Sequence, residues 1–314
     1  MSGAREDGRA LPVGLRLATG RSARLRALLA GPDLVQAPGA FDCITARLVD
    51  TGGFPALYVT GSGVSMSALG APDVGVLSFA EILDRVKRIA DCVSIPVIAD
   101  ADTGYGGPLN VMRTVREMER AGVSAIQIED QAWPKKCGHE PGRRLVSTAE
   151  MVGRIRAAVD ARLDPDTVII ARTDARASEG LEAALDRAAA YAEAGADVLF
   201  VEAPESEAEM RRACVVLAGK PMLANMVEGG RTPVLPAAAL HAIGYRIAIY
   251  PNSLTRALAR TGQELLRRLG AEGTTAGMRE RMLDHNELWA LFEHAHWYAV
   301  EARYAAPPAA DERR

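Results

Sequence analysis

Residues 134–143 read P-K-K-C-G-H-E-P-G-R, and upstream of them the stretch from Asp100 reads D-A-D-T-G-Y-G-G. The first segment offers a thiol, Cys137, among the cationic neighbours Lys135, Lys136 and His139, with Glu140 beside them. Nearby positive charge favours the thiolate. The second offers two carboxylates, Asp100 and Asp102, where an apolar run ends and glycines follow. Such oxygens suit a hard cation: Mg²⁺, which keeps several of its waters, with Mn²⁺ as an alternative. A proton-handling thiol beside an oxygen-ligated metal is the equipment of an enzyme acting on a small, oxygen-rich anion.

These residues need a frame. Short β-rich apolar runs at 33–38, 56–60, 96–100, 125–129, 168–172, 198–202, 222–225 and 246–250 alternate with amphipathic stretches such as 79–92, 111–121, 149–161, 181–194 and 207–217. Several of the latter end in glycine (Gly122, Gly195, Gly219, Gly244), the residue expected just past a helix. Strand and helix alternating eight times predict an α/β chain folded as a (β/α)8 TIM-type barrel. The competing open, doubly wound sheet wants a Gly-rich nucleotide loop after its first strand, and Pro38-Gly-Ala-Phe-Asp42 is not one. Polar residues cluster where the runs end: Thr60 to Ser62, Asp100 and Asp102, Glu129 and Asp130, Arg172 and Asp174, Glu202, Asn225 and Glu228, Tyr250 and Asn252. In a barrel those ends share one mouth.

Length and composition agree. The chain has 314 residues, of which 48% are hydrophobic, enough for a large barrel core with extensions. A net charge of −3 gives no general attraction for nucleic acid or anionic membranes. No apolar run has the length of a membrane span. The four cysteines, Cys43, Cys92, Cys137 and Cys214, show no paired spacing, which points to a reducing cytoplasm. Cys43, Cys92 and Cys214 lie in helix-like surroundings and read as structural. Residues 1–20 read as a loose arm, 21–272 as the catalytic barrel, and 273–314 as a C-terminal helical segment and tail. Within it, 279–303 is rich in aromatics (Trp289, Phe292, Trp297, Tyr298) and reads as a further helical segment seeking a partner surface.

From about Ala37 to Tyr304 the chain resembles the isocitrate lyase and phosphoenolpyruvate mutase superfamily. The resemblance rests on Y-V-T-G-S-G at 58–63, D-A-D-x-G-Y-G at 100–106, I-E-D-Q at 128–131, K-K-C-G-H at 135–139, A-R-T-D-A at 171–175 and A-N-M-V-E-G-G-R-T-P at 224–233. K-K-C-G-H marks the carbon–carbon lyase branch.

The resemblance implies roles. Asp100 and Asp102 match the family's Mg²⁺ residues, with Asp73 and Glu129 reaching the ion through water. Cys137 matches the acid–base that protonates the departing carbanion, its protonation set by Lys136, His139 and Glu140. Tyr58, Thr60, Gly61, Ser62 and Gly138 match the holder of a 2-oxo acid, Arg172 and Glu202 a pair lining the same pocket, and Asn225 a contact to the other product. The loop 131–145 matches a lid that excludes water. The implied activity is Mg²⁺-dependent cleavage of a substituted 2-hydroxy dicarboxylate, dimethylmalate-like or 2-methylisocitrate-like, to a 2-oxo acid such as pyruvate. Phosphonate rearrangement of the carboxyphosphonoenolpyruvate mutase kind stays open as the alternative. The implied assembly is a helix-swapped homotetramer. One departure bears on substrate size: where 2-methylisocitrate lyases carry an arginine before Asn-Glu-Leu to meet a third carboxylate, this chain has His285.

Overall fold

The computed structural model describes residues 11–16, 19–136 and 142–305. Eight strands run along the chain: β1 (Val35–Ala40), β2 (Leu57–Val59), β3 (Val97–Asp100), β4 (Ala125–Glu129), β5 (Val168–Thr173), β6 (Val198–Val201), β7 (Leu223–Asn225) and β8 (Ile247–Tyr250). All neighbours are parallel, in the order β6-β5-β4-β3-β2-β1-β8-β7. A parallel bridge between Leu199 and Met222 links the two ends. The sheet is therefore a nearly closed barrel, as the alternation predicts.

The helices are α1 (Arg21–Ala30), α2 (Cys43–Thr51), α3 (Gly61–Leu69), α4 (Phe79–Asp91), α5 (Pro108–Arg120), α6 (Thr148–Ala161), α7 (Arg176–Glu179), α8 (Leu181–Glu193), α9 (Glu207–Val216), α10 (Ala237–Ile243), α11 (Ser253–Glu272), α12 (His285–Leu291) and α13 (His294–Tyr304). Their starts are local. Ser78 and Glu81 cap α4 reciprocally, Ser147 caps α6, and Pro108 opens α5. After α5 and α8 the chain turns at Gly122 (φ 87°) and Gly195 (φ 105°), a conformation that costs a side-chain residue free energy.

Burial splits the strands by parity. Ile98, Ala125, Val168, Ile170, Val198, Phe200, Leu223 and Ile247 form an inner core, which Leu25 and Leu29 of α1 join. Their neighbours Val97, Ala99, Ile126, Ile169, Ala171 and Leu199 belong to the outer core shared with the helices. Both faces are dry, so β4 and β5 are buried at every position. Side chains alternate between the two layers because strand period is two.

The segment 279–303 is helical, as its composition suggests, and is built from separate short pieces. It contains the end of a 3₁₀ turn (Ala276–Arg281), then α12 and α13. Asp284 and Glu287 form a capping box that starts α12 afresh, and Glu293 at φ 56° separates it from α13. The segment rests on its own barrel: Arg47 of α2 donates to Leu291 O (2.9 Å). Its aromatic face stays open, with Trp289, Trp297 and Tyr298 between 41 and 64% exposed. Among the described residues no helix is long and apolar enough to cross a membrane.

Candidate active site at the barrel mouth

The inward parity continues past the apolar layers. Asp100 follows Ile98, Gln127 follows Ala125, Arg172 follows Ile170, Glu202 follows Phe200, and Asn225 follows Leu223, each two residues further along its strand direction, and Glu129 is two beyond Gln127. Each polar group thus points into the barrel at its C-terminal end. A narrow cavity of about 50 Å³ there is lined by Tyr58, Thr60, Ser62, Asp73, Asp100, Arg172, Glu202 and Asn225, among others. A larger void of about 590 Å³ lies on the barrel's outside among Leu48, Phe54, Leu235 and Leu254, and carries none of this chemistry.

The carboxylates form one side. Asp100 Oδ1 accepts from the Asp102 N–H (3.1 Å) and from Gln127 Nε2 (3.3 Å). Gln127 in turn accepts at Oε1 from the Tyr58 hydroxyl (3.1 Å). Asp100 Oδ2 faces Gly61, where an added Cβ would stand 3.2 Å away. Asp102 is buried with φ 47°, a strained conformation for a residue bearing a side chain. Burial pushes its carboxyl up to about 6, against the pull of Lys135. Glu129, also buried, is raised by desolvation, with Arg172 opposing. Its Oε1 has no hydrogen-bond partner.

The cation within this group is Lys135. Its side chain is 4% exposed, and Nζ lies 2.6 Å from Asp73 Oδ1 and 2.6 Å from Asp102 Oδ1. Sequence reasoning set Lys135 beside the thiol and put Lys136 among the catalytic groups; the geometry brings Lys135 into the site. Lys136 is exposed, and its N–H and C=O are clamped by the Gln131 amide (2.9 and 3.0 Å). Cys137, Gly138, His139 and Glu140 lie outside the described residues.

Opposite stands Arg172. It grips Asp174 with two bonds, Nε to Oδ2 and Nη2 to Oδ1, both 3.0 Å, and Nε is 3.5 Å from Glu129. Its Cζ sits 5.1 Å from the centre of the Phe200 ring. Asp174 also pairs with Arg143 (2.6 Å), and Arg172 holds its carboxyl below the usual range although burial opposes this. Asp130 lies beneath, accepting from Thr173 Oγ1 (2.7 Å), the Tyr191 hydroxyl (2.8 Å) and the Asp174 N–H (2.9 Å). The Asn225 amide donates to both Glu202 oxygens (3.3 and 3.1 Å). Thr60 caps α3, accepting from the Gly63 N–H (3.3 Å). The Gly61 and Ser62 N–H groups, first in that helix, have no acceptor within it, and Ser62 lines the cavity, an arrangement suited to a carboxylate.

The donor set fits a Mg²⁺-like ion. Among the described residues no three His, Cys, Asp or Glu side chains converge as a ready cage. Asp73 and Asp102 nevertheless hold a cation already, the Lys135 ammonium, and Glu129 keeps an orphaned buried oxygen. Oxygen-only donors that leave room for water match Mg²⁺, which rarely takes an all-protein cage. Asp100, Asp102, Asp73 and Glu129 are the residues that would hold it. Gln127, Gln131, Lys135 and Arg143 were missed as site residues; only inward parity could have found Gln127.

The phosphoenolpyruvate phosphomutase family profile matches residues 25–269. The chain is 50% identical over 284 residues to the 2,3-dimethylmalate lyase of Eubacterium barkeri, covering 90% of this chain and 98% of that one. It is 44% identical over 282 residues to the 2-methylisocitrate lyase of Salmonella typhimurium, covering 90% and 94%. A crystal structure of 2,3-dimethylmalate lyase superposes with a TM-score of 0.85 at 39% identity, covering 92% and 96%. Oxaloacetate acetylhydrolase bound to 3,3-difluorooxalacetate gives a TM-score of 0.86 at 36% identity, covering 95% and 100%. A parallel barrel with an acidic and an Arg-bearing wall at its C-terminal mouth, and these relatives, define the class. The chain belongs to the phosphoenolpyruvate mutase/isocitrate lyase superfamily, in its lyase branch.

Proposed function

We propose that this enzyme cleaves the C2–C3 bond of a substituted 2-hydroxy dicarboxylate of dimethylmalate type, giving a 2-oxo acid such as pyruvate and a second carboxylic acid. The observation that carries the reading is the cavity itself: Asp73 and Asp100 on one wall face Arg172, Glu202 and Asn225 on the other. The 50% identity to a 2,3-dimethylmalate lyase supports the substrate class.

Bound at the carboxylate cluster, Mg²⁺ would supply a Lewis acid that polarises the 2-oxygen and its neighbouring carboxylate. The Gly61 and Ser62 N–H groups hold that carboxylate at the start of α3. Glu202, oriented by the Asn225 amide, takes the 2-hydroxyl proton. Arg172, kept cationic by Asp174, Glu202 and Glu129, steadies the charge on that oxygen as the C2–C3 bond breaks. The bonding pair passes to C3, and Cys137 donates a proton there, so the departing half leaves as a neutral α-carbon beside its carboxylate. Tyr58, buried and bonded to Gln127, keeps Asp100 oriented through that amide.

The same reading includes a homotetramer in which C-terminal helices pack on a neighbouring copy. Its support is α11, which runs for 20 residues with none buried, and the apolar groove of about 590 Å³ beside α2 and α10.

The test is a panel assay. Purified protein with Mg²⁺ is given 2,3-dimethylmalate, 2-methylisocitrate and phosphonopyruvate, with 2-oxo acid release and phosphonate rearrangement followed separately. Release of pyruvate from a 2-hydroxy diacid is expected. Phosphonate rearrangement without it would replace this reading with the mutase one.

A further inference from the structure

Two of the chain's four lysines are adjacent, yet only Lys135 turns into the barrel mouth. Its ammonium is 2.6 Å from each of two buried carboxylates, and Asp100 and Glu129 add their fields to the same point. These are the four carboxylates that fit a divalent cation. The Lys135 backbone is tethered next door, because the Gln131 amide clamps the Lys136 N–H and C=O. The stem has four rotatable carbons, so the ammonium can leave while the main chain stays.

An ammonium and a divalent ion cannot share these oxygens cheaply. At about 4 Å a unit charge and a doubly charged one repel each other strongly even at an effective dielectric near 20. One of them must move. We propose that Lys135 is an internal counter-cation: it neutralises Asp73 and Asp102 in the metal-free protein and is displaced from them when a divalent cation binds. The affinity for the metal is then set by competition with the chain's own ammonium. This rests on the metal reading above and adds a residue that controls it. Without the lysine, four acidic groups would stand together in a desolvated mouth, an arrangement that burial penalises.

The sign of the effect separates this role from a structural one. Mn²⁺ binding to the full-length protein, followed by electron paramagnetic resonance and by titration calorimetry with Mg²⁺, should tighten about tenfold or more in Lys135→Met, within the usual range of coupling between two ligands. A lysine that merely shapes the site would give unchanged or weaker binding on removal. A second readout uses the unmodified protein. Amine acetylation with mass spectrometry reports on Lys87, Lys135, Lys136 and Lys220 separately. Lys135 should react several times faster once Mg²⁺ is added, while Lys87 and Lys220 should not change. Reactivity of Lys135 that is flat or reduced on metal addition overturns the proposal. Wild-type protein that binds neither Mn²⁺ nor Mg²⁺ overturns the metal reading with it. Wild-type binding that Asp100→Ala abolishes, with no gain in Lys135→Met, sinks the counter-cation alone.

Discussion

Arg172→Lys is the most informative perturbation of the opposite wall. It keeps the charge and changes only its shape. Arg172 spends two N–H groups on Asp174, each 3.0 Å, and lays its plane near Phe200. Lysine offers a point charge that reaches one of those oxygens. The loss is one charge-assisted hydrogen bond, about 1.5–3 kcal/mol, and the contact with the ring, about 0.5–2 kcal/mol. Both losses sit on one side chain and do not simply add, so we expect about 2–4 kcal/mol in urea unfolding. Asp174 stays paired with Arg143, which keeps the cost below that of an abandoned buried charge. Activity should fall further than stability implies. A donor aimed at a developing oxyanion is worth about a hundredfold or more in kcat when removed. Arg176→Lys is the control: Arg176 makes the same two-pronged contact, with Glu209 at 2.9 and 2.6 Å, on a partly exposed surface. It should cost about 1 kcal/mol or less and leave turnover intact. Chevron or equilibrium unfolding and steady-state kinetics measure both. An Arg172→Lys protein with wild-type stability and more than a tenth of wild-type kcat would refute the reasoning.

Chelation with EDTA should abolish activity, and added Mg²⁺ or Mn²⁺ should restore it, whereas Asp100→Ala should resist rescue at ordinary Mg²⁺; full activity in chelator removes the metal from the scheme. Cys137→Ser should lose roughly two to four orders of magnitude in kcat with little change in substrate binding, and single-turnover kinetics showing near-normal turnover would clear Cys137 of any proton transfer. His285 is exposed and accepts from the Trp289 indole (3.1 Å), and its ring cannot offer the fork that meets a carboxylate, so four- and five-carbon malates with small substituents should be turned over better than 2-methylisocitrate. A kcat/KM of about 10⁴ M⁻¹s⁻¹ or more for 2-methylisocitrate with inert malates contradicts that order. Light scattering at micromolar concentration should show a tetramer; a 33.4 kDa species speaks against the covered α11.

Much of the site is written as a local rule. Several apolar runs end in a polar residue two places beyond an inward-facing one: Ile98 then Asp100, Ile170 then Arg172, Leu223 then Asn225. Strand period alone therefore aims these groups, and eight strand–helix units then bring them to one mouth. Capping boxes and the glycines after α5 and α8 are equally local, and they appear where the sequence puts them. The loop residues are different. Between Gln131 and Leu145 no period tells which of two adjacent lysines turns inward, and Lys135 is chosen by Asp73 and Asp102, distant in sequence and brought near by the pairing of β2, β3 and β4. Nor could composition divide the C-terminal segment at Glu293, whose left-handed φ and bond to the Val13 N–H are set by packing against the N-terminal arm and α2. What the sequence by itself determined is the order of elements and the direction of each strand-end side chain, because those follow from periods of two and 3.6 residues along one stretch of chain. What only the tertiary structure decided is which charges meet. Pairings such as Tyr58 with Gln127, Asp130 with Tyr191 and Lys135 with Asp73 are contacts across the fold, and a one-dimensional pattern carries no information about distance through space.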